Sequence, residues 1–100
     1  MTLQRITLLA EALRLITQDR NNTHGEPTQD FTRTAQMWTT YLDGRTTIRP
    51  WDVAAMMSLL KISRISWSPD HRDNWVDLAG YAACGYETHT NTNNKEREQQ

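Results

Sequence analysis

The sequence predicts an all-α fold, a compact bundle of about four helices that oligomerises through helix packing. Three observations lead there. Apolar residues recur at spacings of three and four in successive stretches, as they do along one face of a helix. Cap and stop residues punctuate those stretches. No alternation of apolar and polar residues is long enough for a strand, and Thr46 to Ile48 is too short to matter.

The first helix is expected from Thr2 to Gln18, capped by Thr2, with Leu3, Ile6, Leu9, Leu13 and Ile16 as its apolar stripe. Asn21, Asn22, Gly25 and Pro27 then form a loop. A second helix runs from Thr28 to Leu42, with Phe31, Ala35, Trp38 and Leu42 on one face and Asp43-Gly44 as its stop. Pro50 suits the first position of a third helix, where its missing N–H costs nothing. From Trp51 to Ile65 that helix is apolar on nearly all sides, the signature of a buried central helix. Ser68-Pro69-Asp70 restarts the chain into a fourth helix, Pro69 to Cys84, with Ser68 as cap. Gly80, Ala82, Ala83 and Gly85 keep this helix slim, which permits close packing against another.

One hundred residues fit a single domain. Residues 1–86 are read as the helical domain. Residues 87–100, ETHTNTNNKEREQQ, hold nothing that builds a core and are expected to be a disordered polar tail. The core is thin in Leu, Ile, Val and Phe; Trp38, Trp51, Trp67 and Trp75, with Met and Tyr, supply bulk. A thin core favours a homo-oligomer, because a second copy buries what one leaves exposed. The net charge of −1 gives no support for duplex nucleic acid. No apolar run suffices for a membrane span, and the start reads as a helix and not a signal peptide. Cys84, the single cysteine, suits a reducing compartment, so the expected location is the cytoplasm. With no basic neighbour in sequence, Cys84 is not read as a nucleophile.

On a helical wheel Asp70, Asp73, Asn74, Asp77 and Tyr81 share one face of the fourth helix, with Trp75, Val76, Leu78, Ala79, Ala82, Ala83 and Tyr86 opposite. Carboxylates at one-turn spacing suit a hard cation such as Mg2+, so Asp70, Asp73 and Asp77, assisted by Asp30, are candidate metal ligands. The competing reading, favoured on spacing alone, is a solvated face with helix-start acids. Lys61 and Arg64, one turn apart, with His71 and Arg72 are candidate phosphate-binding residues. They would instead snorkel or pair with Asp70 and Asp73 if the role is structural. Trp38, Trp51, Trp75 and Tyr81 are candidates for stacking on a base, against an ordinary place in the core. His24 and Glu26, in the loop before the second helix, complete the set.

Three pieces of the chain, HGEPTQDFTRTAQMW, RPWDVAAMMSLLKISR and SPDHRDNWVDLAGYAA, resemble a small uncharacterised domain family common in bacteriophage genomes. They cover about two-thirds of the chain in order. More distantly, the chain is similar to the MazG-like all-α nucleotide pyrophosphohydrolases. That resemblance implies dimeric or tetrameric bundles, Mg2+ held by acids from two helices, and cleavage of nucleoside triphosphates to monophosphate and pyrophosphate. Of its Glu-x-x-Glu and later Glu-x-x-Asp patterns, Asp77 matches the later one and Asp73 stands one residue off. The earlier pattern is missing, leaving Asp52 on the third helix and Asp30 on the second. The functional expectation is a nucleotide-binding phage protein that takes a phosphate-bearing ligand in the host cytoplasm. Hydrolysis with Mg2+ is one form of it. The alternatives are a non-catalytic sponge for a nucleotide signal of antiphage defence, and a module that binds a host protein.

Overall fold

The structure, a computed structural model, describes residues 3–19 and 25–98. Among these are four α-helices and no strand: α1 (Gln4–Arg14), α2 (Pro27–Tyr41), α3 (Pro50–Trp67) and α4 (Arg72–Glu98), with a π-helical turn, Leu15–Asp19, continuing α1. No helix of the described residues is long and apolar enough to cross a membrane. The all-α bundle read from the spacing is therefore the fold. The proposed Thr2 cap lies outside the described residues.

Local chemistry sets the helix starts. Glu26 precedes Pro27 and its carboxylate accepts hydrogen bonds from the backbone N–H of Thr28 (3.0 Å) and Gln29 (3.1 Å). The cap of α2 is thus Glu26, not Thr28, because Pro27 takes the first helical position. At α3 the Asp52 carboxylate accepts from the backbone N–H of Arg49 (2.8 Å) and from its guanidinium (2.9 and 3.0 Å). These hydrogen bonds hold the Asp52 carboxyl below its ordinary range. Between α2 and α3, Asp43 (φ 56°) and Gly44 (φ 71°) turn the chain through left-handed conformations. The Thr39 hydroxyl fastens the link by accepting the Ile48 N–H at 2.8 Å.

Three expectations about packing are corrected. First, the central helix is α4 and not α3, for α4 touches α1, α2 and α3. α3 buries Val53, Ala54 and Lys61 against it but leaves Met56, Leu59, Leu60 and Ile62 exposed. Second, α1 docks through Leu8, Glu11, Ala12 and Leu15, while Leu3, Ile6, Leu9 and Leu13 of the expected stripe are 46–60 % exposed. An apolar stripe shows that a face wants cover, not that its own chain supplies it. Third, α4 packs on more than the face expected. Val76 is buried on the expected side, but Asn74, Cys84, Gly85 and Thr88 are buried and Asp77 and Tyr81 half-buried on the side read as solvated, while Ala82, Ala83 and Tyr86 are exposed.

The core explains the second packed side. Phe31, Ala35, Val53, Ala54 and Cys84 form the buried cluster, with Ile16, Trp38, Met57 and Tyr81 packed on it. Tyr81 lies against Phe31, ring centroids 6.4 Å apart. Gly85 faces Ala54 so closely that a Cβ built on it would stand 2.7 Å from the Ala54 methyl. Small residues at the crossing let α3 and α4 meet at backbone contact, as the slim fourth helix predicts.

The polar tail is a further correction, because α4 continues to Glu98. Tertiary contact supplies what composition lacks. Thr88 is fully buried one turn beyond Gly85. The Asn91 amide donates to the Thr28 hydroxyl at 3.0 Å, and His89 meets the Trp51 ring edge-on at 4.7 Å. Thr90 and Thr92 return their hydroxyl protons to the carbonyls four residues back. At its other end α4 begins at Arg72 and not Pro69. Pro69 and Asp70 lie in a turn closed by the His71 N–H to the Ser68 carbonyl (3.1 Å), and the Trp75 indole N–H donates to the Pro69 carbonyl (2.8 Å).

Candidate functional site

The turn between α3 and α4 builds an open cleft of about 320 Å³, lined by Arg64, Trp67, Ser68, His71 and Asn74. Arg64 and Trp67 are one turn apart at the end of α3, so they project from the same side. Ser68 closes α3, and His71 immediately precedes α4. The N-terminus of α4 adds backbone N–H groups whose partial positive charge favours an anion. Arg64 adds a full charge and a planar fork of donors that matches phosphate oxygens. Asn74 is 7 % exposed and lines the cleft. Trp67 is 89 % exposed, so an indole face stands free at the rim.

Arg64 and His71 are thus the two expected phosphate-binding residues that the fold brings together. Lys61 and Arg72 go elsewhere. Lys61, buried in α3, reaches Asp77 of α4, Nζ to Oδ2 2.9 Å. Arg72 pairs with Glu11 of α1. One expected phosphate ligand therefore neutralises one expected metal ligand.

The acids do not assemble. Asp70 sits in the turn and Asp73 in the first turn of α4, both exposed. Asp77 is committed to Lys61, and Asp30, on α2, stands 3.9 Å from Arg33. No group of three or more His, Cys, Asp or Glu able to hold a metal ion is found among the described residues. The described carboxylates of one chain thus do not by themselves form an all-protein cage for a cation. Asp70, placed on the helical stripe by the wheel, leaves it because the turn takes Pro69 and Asp70 out of the helix.

The remaining candidates separate. Trp38 and Tyr81 line a hollow of about 180 Å³ between α2 and α4 that also includes Asp30 and Phe31. Tyr81 and Asp77 line another, of about 220 Å³, against α1. Trp75 is held by its indole N–H as the staple of the turn. Trp51 lies between the Arg49 guanidinium, 5.0 Å from its ring centre, and His89. Glu26 acts as the α2 cap, and His24 lies outside the described residues. Sequence reasoning missed Trp67 and Asn74 in this role. The available signal for Trp67 was a tryptophan at the very end of an apolar helix, next to Ser-Pro, where no following turn covers it.

The chain is 41 % identical over 78 residues to the Gene 55 protein of Mycobacterium phage D29, a match covering 78 % of this chain and 50 % of that protein. It is 38 % identical over 77 residues to the Gene 55 protein of Mycobacterium phage L5, covering 77 % of this chain and 49 % of the relative. The chain therefore spans about half the length of the curated relatives it matches. No solved structure matches it. The expectation of a phage domain family thus holds, whereas these matches carry no MazG-like assignment. Residues 7–89, which contain the cleft and most of the helical core, match the model of the domain of unknown function DUF6378, and the chain belongs to that family.

Proposed function

We propose that the chain binds a phosphate-bearing nucleotide in the cleft at the α3–α4 turn and holds it without cleaving it. The observation that carries this reading is the convergence of Arg64, His71 and the Asn74 side chain beside the exposed Trp67 ring. Arg64 and the first N–H groups of α4 take the phosphate. Asn74 donates to it or reads a polar edge of the ligand. Trp67 offers a stacking surface, worth roughly 1–3 kcal/mol per base in other proteins. Retention without cleavage suits a chain whose described acids do not gather into a group of three, and it departs from the MazG-like hydrolase reading at that point. Sequestering a nucleotide signal of host defence is the role such a binder would play in a phage, and the source of both relatives supports it.

The test is to incubate the protein with mono-, tri- and cyclic nucleotides, with and without Mg2+, and to analyse retained and released material by chromatography. Intact nucleotide is expected in the protein fraction. Arg64→Ala and Trp67→Ala should each weaken retention at least tenfold with helicity unchanged. Conversion to monophosphate and pyrophosphate only with Mg2+ would restore the hydrolase, and retention of nothing would move the function to a protein partner.

A further inference from the structure

The charges around the α3–α4 turn discriminate between kinds of nucleotide, on the reading that this cleft is a nucleotide site. Arg64 brings the permanent positive charge of the lining and His71 a further donor. The cations nearest to them in sequence are spent, Lys61 on Asp77 and Arg72 on Glu11. Asp70 and Asp73 are exposed. Each is the chain neighbour of a residue in the wall, His71 and Asn74, with its Cα about 3.8 Å from that residue's. Two full negative charges thus stand around one permanent positive charge.

The backbone does not tip this balance. α3 ends and α4 begins at the same turn, so a partial negative helix end and a partial positive one, about half an elementary charge each, offset one another. The N–H groups at the start of α4 still donate at short range, but no long-range positive field draws in a polyanion. Size bears in the same direction. The cleft, about 320 Å³, is at the lower end of ligand pockets, roughly 300–1,000 Å³, which suits one nucleotide unit. Arg64 and Trp67, three residues apart on a helix, have Cβ atoms ~5–6 Å apart. A phosphate on Arg64 and a base on Trp67 are then separated by little more than a ribose.

We infer that the ligand is a single nucleotide whose phosphate is a monoanionic diester, a cyclic mononucleotide, in preference to nucleoside monophosphates and triphosphates. A diester carries one negative charge and presents two free oxygens to the planar fork of Arg64. A terminal phosphate monoester carries about 1.5–2 negative charges at pH 7, and a triphosphate carries more. Every charge beyond the first meets Asp70 and Asp73 with no further cation to offset it. The diester of a nucleic-acid strand has the same chemistry, but a strand asks for a row of cations along its backbone, and the lining of this cleft has Arg64 alone as a permanent one.

The test measures the full chain by equilibrium dialysis against the 3′,5′-cyclic monophosphates, 5′-monophosphates and 5′-triphosphates of the four common ribonucleosides, without divalent cation. A cyclic nucleotide should bind at least tenfold tighter than the triphosphate of the same base, with the monophosphate between them. Asp70→Asn combined with Asp73→Asn should narrow that gap at least threefold, chiefly by strengthening the triphosphate, with circular dichroism as the folding control. If the pair reduces helicity, Asp70→Asn alone takes its place, since Asp70 lies in the turn and outside α4. A triphosphate that binds as tightly as its cyclic counterpart overturns this inference and leaves the nucleotide-binding reading standing. So does a gap that the Asp substitutions leave unchanged, because size and not charge would then set the preference. A single-stranded oligonucleotide that binds tighter than every cyclic nucleotide overturns it as well. If no nucleotide of any series binds, this inference falls together with the reading on which it rests.

Discussion

Gly85→Ala is the sharpest test of how α3 and α4 meet. The added methyl would stand 2.7 Å from the Ala54 Cβ, where carbon atoms rest at ~3.5–4.0 Å. Neither partner can rotate away, since both are methyl groups fixed to helical backbone. The helices must therefore part by about an ångström along a contact where Val53, Ala54 and Cys84 are all buried. Overpacking of this kind costs ~1–3 kcal/mol, offset by roughly 0.5–1 kcal/mol gained when alanine replaces glycine inside a helix. The net loss lies within about 0–2.5 kcal/mol and centres near ~1.2 kcal/mol, which for a domain of this size lowers Tm by roughly 5–10 °C. Gly80→Ala is the milder comparison, because its methyl would lie 3.2 Å from Ile16 Cγ2, an overlap that a shift of a few tenths of an ångström relieves. That variant should be neutral or slightly more stable. Combining Gly85→Ala with Ala54→Gly restores the space, so urea denaturation of the four species should show a coupling of at least ~1 kcal/mol. If Gly85→Ala is as stable as wild type, or if the two costs simply add, the close crossing is wrong.

Asp77→Asn should destabilise by roughly 1–3 kcal/mol in urea melts, below the ~3–5 kcal/mol of a fully buried broken pair because the Asp77 side chain is 39 % exposed. Replacing Lys61 by Met in the same chain should recover part of the loss. Thr88→Val should stabilise by ~1 kcal/mol or more, read as a rise in Tm, because the fully buried Thr88 hydroxyl has no hydrogen-bond partner and valine keeps its shape. Asp52→Asn tests the α3 cap through pH. The Asp52 carboxyl is held below its ordinary pKa by the Arg49 side-chain hydrogen bonds, so its stabilisation is fully present above the unfolded value and is lost as pH falls through the lowered folded value. Wild type should therefore melt above Asp52→Asn at pH 7, and the gap should close as pH falls below the ordinary carboxylate range. Deleting residues 87–100 should lower Tm as well as helical signal, since Thr88, His89 and Asn91 make contacts beyond their own helix; an unchanged Tm would return that segment to the role of a tail.

Helix order and most boundaries were legible because they rest on local signals. Pro50, Asp43-Gly44 and the three-and-four spacing act within a few residues of themselves. The faces were less legible. Periodicity marks Leu3, Ile6, Leu9 and Leu13 as a stripe but carries nothing about which neighbour covers it. The apolar α3 looked central because every side of it is greasy, yet small residues on α4 decide which helix can be approached from several directions. Arg64 and His71 were found because a short turn brings them together whatever the packing. Lys61 and Asp77 were named for separate tasks because their meeting depends on the register between two helices, which follows from Gly85 facing Ala54. Asn74 was placed on the right helix, but its burial follows from that same register.

The length of α4 has a consequence for exchange with solvent. Its 27 residues form one uninterrupted rod, but the two ends of that rod are held by different means. The stretch around Val76, Cys84 and Gly85 is locked in the core, while the run from Thr90 to Asn94 is a poor helix former that keeps its shape through a few anchors, chiefly Thr88 and the Asn91 bond to Thr28. Amide protons along the rod should therefore fall into two kinetic classes. Those before Thr88 should exchange only when the whole domain opens, and those after it whenever the Thr28 anchor lets go. The start of α2, tied to that anchor, should loosen in the same event. Two segments sixty residues apart in sequence would then breathe together, as one cooperative unit that no boundary between helices marks.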